Sequence, residues 1–169
     1  MSITIVTLSA STTRGWLVLP GSNMKCALGK NGIHSTKCEG DGATPAGNYK
    51  IRRLFYRADR IPPPATLLPS TPLTPNLGWC DDSASARYNQ LVRLPFEKSH
   101  EKMWRQDHLY DIVIVLGYND CPVVRGHGSA VFLHIARNNY EPTEGCVAIS
   151  LQDMRHLVAQ IRPGDRIKI

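Results

Sequence analysis

The residues best suited to covalent chemistry lie close together near the C-terminus: His134 in Phe132-Leu133-His134-Ile135-Ala136, and Cys146 in Thr143-Glu144-Gly145-Cys146-Val147. A thiol is a poor nucleophile until its proton leaves, and a neighbouring imidazole that accepts the proton lowers the thiol pKa from its ordinary ~8.5. His134 is the expected neighbour of Cys146. Gly145 lets the backbone turn sharply, so that the N–H groups of Gly145 and Cys146 are expected to face an oxyanion forming beside the sulfur. Each such donor contributes roughly 3 kcal/mol toward a tetrahedral intermediate. The chemistry is acyl transfer: Cys146 attacks a carbonyl, an acyl-enzyme forms, and an amine or water resolves it. His127 is a competing base. It sits in an Arg125-Gly126-His127-Gly128 turn, where exposure is expected, whereas His134 ends an apolar strand, and geometry favours His134.

The elements that must position these groups read mainly as strands. Ile3, Ile5 and Leu8, followed by Trp16 to Leu19 after a polar turn, suggest an opening hairpin. Cys26 to Leu28, Tyr49 to Leu54, Asn89 to Leu94 and Asp111 to Leu116 add strands, with a weak helical stretch over Ser99 to Asp107. Ala130 to Ile135 reads as a buried strand that presents His134. Between Pro62 and Pro75 repeated prolines forbid helix or central strand and predict an extended loop or lid. Ser150-Leu151-Gln152-Asp153 is a helix-start box, Met154, Leu157, Val158 and Ile161 form one apolar face, and Arg166 to Ile169 is the last strand.

The His134 and Cys146 segments together resemble the YkuD-type L,D-transpeptidase signature, in which a histidine at a strand end precedes a Ser/Thr-His-Gly-Cys turn. Upstream, Gly40-Asp41-Gly42-Ala43-Thr44-Pro45-Ala46-Gly47-Asn48-Tyr49 is similar to that family's Asp-Gly-x-Thr-Pro-x-Gly segment, whose side chains are expected to support the site by bonding nearby backbone. Gly78 to Asp82, Tyr88-Asn89 and Leu116 to Asp120 look like a subgroup with an inserted lid. The resemblance implies a single mainly-β domain over 1–169, a β-sandwich or barrel with a C-terminal helix and a lid at about 57–108. It also implies a peptidoglycan L,D-transpeptidase that acts on stem peptides as donor and acceptor in the periplasm or cell envelope and needs no cofactor. Substrate contacts are expected from Tyr118, Arg125, Arg137, Thr143, Glu144 and Trp79, and Asp81, Asp82 and Tyr88 are further candidates for the lid's inner surface. Glu144 and Ala148 stand where the family usually has histidine and arginine. L,D-carboxypeptidase action on the same substrate, peptidoglycan binding with weak catalysis, and a cytosolic thiol hydrolase remain alternatives.

Composition bounds these readings. At 169 residues, 42% hydrophobic and 20% charged, the chain has the composition of a soluble globular protein. Its formal charge of +6 favours an anionic partner. No Lys/Arg run exceeds Arg52-Arg53 and no basic stripe carries interleaved aromatics, which argues against nucleic acid. No apolar run approaches the ~20 residues of a membrane span. Met1 to Ala10 has no basic flank and reads as a strand rather than a signal peptide. Five cysteines are an odd number, so at least one is unpaired within the chain, and their spacing lacks the knuckle of a structural zinc site. Apart from Cys146, most are expected to be small buried hydrophobes.

Overall fold

The computed structural model describes residues 2–169. The opening hairpin forms as expected, β1 (Ser2–Val6) pairing antiparallel with β2 (Arg14–Leu19), which pairs in turn with β3 (Ser22–Ala27). Two short segments, β4 (Ile33–His34) and β5 (Thr44–Pro45), form a small parallel pair beside the site. The long β6 (Asn48–Tyr56) leads into β7 (Ser70–Pro72), β8 (Leu77–Cys80), β9 (Leu91–Arg93) and β10 (His100–Lys102). The chain then returns through β11 (Ile112–Leu116), β12 (Phe132–Ile135), β13 (Val147–Ile149), α1 (Leu151–Gln160) and β14 (Arg166–Lys168). The fold is thus mainly β with one C-terminal α-helix, as the sequence predicts.

Strands run in the order β11-β12-β13-β3-β2-β1-β14-β6, with β7 beyond β6, and β11 also pairs with β6. That extra pairing closes eight strands into a barrel, which removes their free edges. Alternation along the strands divides two cores. Ile112, Ile114, Leu116, Leu54, Leu133, Val147 and Ile149 join one cluster with Met154, Leu157 and Val158 of α1. Val113, Val115, Phe55 and Phe132, one residue out of phase, join a second cluster with Leu77, Met103 and Tyr110 of the 57–111 connection. Both faces of β11 are therefore buried, which explains its uninterrupted Ile-Val-Ile-Val-Leu run. The connection covers one outer face of the barrel, and its strands β10-β8-β9 form a separate sheet.

Two sequence expectations are corrected. Ser99 to Asp107 forms no helix: His100–Lys102 pairs with β8, and the Arg57 guanidinium lies 3.6 Å over the Trp104 ring, so partners remote in sequence override weak local propensity. The Ala130 to Ile135 strand begins only at Phe132, because Ala130 adopts a positive φ of 50°. The helix start is as expected, Ser150 Oγ accepting the Asp153 N–H at 3.0 Å and donating to Asp153 Oδ2 at 2.7 Å. Ser150→Ala should lower stability by about 1 kcal/mol and the thermal midpoint by about 3 °C, measurable by circular dichroism.

Candidate active site

Cys146 immediately precedes β13, and the register of that strand fixes where its sulfur points. β12 and β13 are parallel, with Leu133 opposite Val147 and His134 opposite Ala148. Side chains alternate across a strand, so Phe132, His134, Cys146 and Ala148 share the outer face while Leu133, Val147 and Ile149 face the inner core. Cys146 and His134 both line a cavity of about 290 Å³ between this face and the 57–111 connection. Tyr110 packs edge-on against both the Phe132 and His134 rings and forms part of the wall.

The Cys146 turn is built from three directions. Gly145 has φ +134°, and a Cβ there would stand 2.7 Å from the Ala43 carbonyl oxygen, so only glycine fits. Thr143 Oγ1 donates to the Cys146 carbonyl at 2.7 Å and accepts the Gly145 N–H at 3.1 Å. Thr44 Oγ1 accepts the Gly29 N–H at 2.8 Å and reaches the same Cys146 carbonyl at 3.4 Å. The Asp41 carboxylate closes its own loop, accepting from Lys37 Nζ at 2.6 Å and from the Cys38 and Ala43 amides at 2.8 and 2.9 Å. Burial opposes ionisation of Asp41, but these donors outweigh it and hold its pKa below the usual carboxylate value.

The Cys146 thiol donates to the Ala130 carbonyl at 3.3 Å and accepts the Phe132 N–H at 3.4 Å. Burial pushes it up to about 12, with the Phe132 amide and the Lys37 and Arg105 charges pulling down and the Glu101 charge pushing up. The expectation of a thiol lowered by its imidazole is therefore corrected for the resting site, where desolvation dominates. His134 is buried and its Nδ1 lies 2.9 Å from the Ile135 carbonyl, which can only accept, so Nδ1 carries the proton and Nε2 holds a free lone pair. Burial drives its pKa down to about 4 against the opposing pull of that carbonyl. Both groups are neutral at pH 7. His127 is exposed and does not line the cavity.

A half-buried thiol and a neutral imidazole on one face of adjacent strands, lining one cavity beneath the 57–111 connection, suit acyl transfer, and comparison with protein families points the same way. The chain matches the L,D-transpeptidase catalytic domain over residues 4–169. It belongs to that family. No curated protein and no solved structure matches it.

Within this L,D-transpeptidase domain the substrate-contact expectations divide. Arg137, Thr143 and Glu144 line the cavity. Thr143 is occupied in holding the turn, and Glu144 reaches outward to Lys30 at 2.7 Å with both side chains largely exposed. A carboxylate so placed is screened from the thiol. Tyr118, Arg125 and Trp79 do not line the cavity. The Tyr118 hydroxyl donates to the His127 carbonyl and its ring packs on Tyr49, while Arg125 lies exposed on the turn beside His127. Trp79 donates from Nε1 to Asn89 Oδ1 at 2.9 Å and packs edge-on against Phe132, so it pins the connection to the barrel. The oxyanion expectation is also amended. The Gly145 N–H is engaged by Thr143 Oγ1, which leaves the Cys146 amide as the donor of that pair.

Asp81 lines the cavity as expected for a residue on the connection's inner surface, whereas Asp82 and Tyr88 do not. Tyr88 is buried behind the cavity, where its hydroxyl donates to Glu39. The wall residues that went unforeseen include Lys37, Glu39, Glu101, Arg105 and Tyr110. All reach the site through contacts remote in sequence, and none belongs to a local pattern that sequence reading could score. Cys26 and Cys80 are buried, as expected, but Cys38 and Cys121 are exposed. No described residues form a group suited to a metal ion.

Proposed function

We propose that this protein is a peptidoglycan L,D-transpeptidase with Cys146 as nucleophile and His134 as base. The observation that carries the reading is the placement of Cys146 and His134 on one face of adjacent parallel strands, with His134 Nδ1 tied to the Ile135 carbonyl. As the sulfur attacks the carbonyl at the L-to-D bond of a tetrapeptide stem, its proton passes to Nε2. The oxyanion receives the Cys146 N–H, and the imidazolium returns the proton to the departing D-amino acid. An amine of a second stem then attacks the thioester, a C–N bond replaces the C–S bond, and the thiol is regenerated. The 57–108 segment serves as a lid that excludes water from the acyl-enzyme. Its working place is the cell envelope, where its substrate is.

Muropeptide analysis after incubation with sacculi tests this reading. Cross-linked dimers are expected with the native protein and none with Cys146→Ser, while His127→Ala should leave turnover unchanged. Tripeptides without dimers would assign water as the acceptor and make the enzyme an L,D-carboxypeptidase, and unaltered sacculi would remove the activity altogether.

A further inference from the structure

The formal charge of +6 is not spread evenly over the molecule. Strands β3-β2-β1-β14-β6 lie side by side in the barrel, and none of them contains an aspartate or a glutamate. Register fixes what they present to solvent. Lys25 stands opposite Trp16 and Trp16 opposite Val6, Lys168 stands between Thr4 and Asn48, and Arg166 lies opposite Lys50. The intervening Ile3, Ile5, Leu17 and Ile167 are buried, so the first set points away from the core, and its cations, Trp16 and Val6 are exposed. Among the described residues, Arg52 alone of the cations on these strands has a carboxylate partner, Asp120 at 2.7 Å. A face so charged and so little neutralised is complementary to a polyanion.

This face runs without a break to the candidate active site. Ala27 of β3 stands opposite both Arg14 and Ala148, and Ala148 shares the outer face with Cys146. Arg14 donates from Nη2 to the Asn139 carbonyl at 2.9 Å and from Nε to the Tyr140 carbonyl at 3.2 Å, which ties the turn after β12 down onto β2. Tyr140 is held there at a φ of 53°, a left-handed conformation that costs a tyrosine energy. Arg137, Glu141 and Pro142 of the same turn line the cavity, and the Lys25 ammonium sits 4.9 Å over the Tyr140 ring. Trp16 follows, a large ring left 51% exposed beside Lys25. Cavity, Tyr140, Lys25 and Trp16 therefore succeed one another along one surface.

We propose that this surface is the docking track for the glycan strand from which the reacting stem peptide hangs. Tyr140 and Trp16 stack on the flat apolar faces of its sugars, and Lys25, Lys168 and Arg166 meet the carboxylates of neighbouring stems. The track rests on the acyl-transfer reading and names the polymer that this reading requires. Reach favours that occupant. In a tetrapeptide stem ~3 residues separate the scissile bond from the sugar, about 10 Å of extended chain. Trp16 stands two strands over and four residues along from Cys146, about 16 Å at the usual strand spacings, with the Tyr140 turn between them. The sugar emerges at Tyr140 and the strand continues over Trp16. An anionic membrane would instead call for an apolar tip ringed by cations, whereas these cations extend across β14 and β6, away from Trp16 and Val6.

Cosedimentation of Cys146→Ala protein with purified sacculi reads the track without turnover. Lys25→Glu/Lys168→Glu should raise the apparent Kd about tenfold, and Trp16→Ala about fivefold. Lys98→Glu/Lys102→Glu makes the same change in net charge at two exposed lysines of the 57–111 connection and should stay within twofold. An equal loss in both double variants assigns binding to net charge, and no loss from Lys25→Glu/Lys168→Glu or from Trp16→Ala removes the face from binding; either result overturns the track. Tighter binding to phosphatidylglycerol vesicles than to sacculi, lost on the same substitutions, gives the face to a membrane and also overturns it. With Cys146 in place, turnover of a soluble tetrapeptide should be unchanged by Lys25→Glu/Lys168→Glu while products from sacculi fall about tenfold. Where the native protein does not turn over the soluble tetrapeptide, the proposed function fails, and cosedimentation still decides the track.

Discussion

Cys146→Ala protein is expected to lose transfer activity by about 10^4-fold or more, the scale on which removal of a catalytic nucleophile is felt, with an almost unchanged unfolding temperature. The two outcomes separate because the Cys146 side chain does little structural work: it makes two long hydrogen bonds, whereas the turn itself is held by Thr143, Thr44 and Gly145. The resting thiol adds a second expectation. With its pKa pushed up to about 12 by burial, only about one thiol in 10^5 is ionised at pH 7. Iodoacetamide at that pH should therefore label the exposed Cys38 and Cys121 well before Cys146. A peptide map in which Cys146 is alkylated first would show that the thiolate exists before substrate binds, and the concerted proton transfer to His134 would be unnecessary.

The sequence made Cys146, His134 and Gly145 visible because each signal is local. A glycine before a cysteine reports a tight turn, and the observed φ of +134° bears that out. An apolar run ending in histidine reports a strand that presents it, and β12 does so. The Ser150 box and the apolar face of α1 were legible for the same reason, since capping and helical period involve neighbours three or four residues apart.

What could not be read is whatever depends on closure. Nothing in the sequence says that β11 returns to β6, yet that pairing places the 57–111 connection over the outer face of β12. Hence Glu101, Arg105 and Tyr110, which carry no motif, line the cavity, while Tyr118 and Trp79, aromatic and flanked by suggestive residues, serve as packing. The Ser99 to Asp107 helix expectation failed on the same ground. Its residues take partners on β8, Arg57 and Tyr110, and these contacts outweigh helix propensities of a few tenths of a kcal/mol per residue. Desolvation is equally non-local. The adjacency of thiol and imidazole suggested an ionised pair, and the cover over both makes two neutral groups.

His134→Ala should cost about 10^3-fold or more in turnover, and the pH dependence of the native protein should show why. In the proposed role His134 takes a proton only as the neutral imidazole, and burial lowers its pKa to about 4. The acid limb of kcat/KM should then fall only as the pH drops through about 4, with no inflection near the ordinary histidine value of ~6.5 that belongs to this residue. Stability follows with a definite sign. Between about 4 and ~6.5 the unfolded chain binds a proton at His134 that the folded protein refuses, so folding stability rises with pH across that window. The contribution, about 3 kcal/mol, is fully present above the unfolded pKa and is lost as the pH falls toward the folded one. Comparing urea midpoints of native and His134→Ala protein at pH 7 and pH 4.5 isolates this share from that of the carboxylates, since the variant lacks it. The native protein should lose more stability over that interval than the variant does. Equal losses would mean that His134 is protonated as readily in the folded chain as in the unfolded one, and an imidazolium in that position has no lone pair with which to take the Cys146 proton.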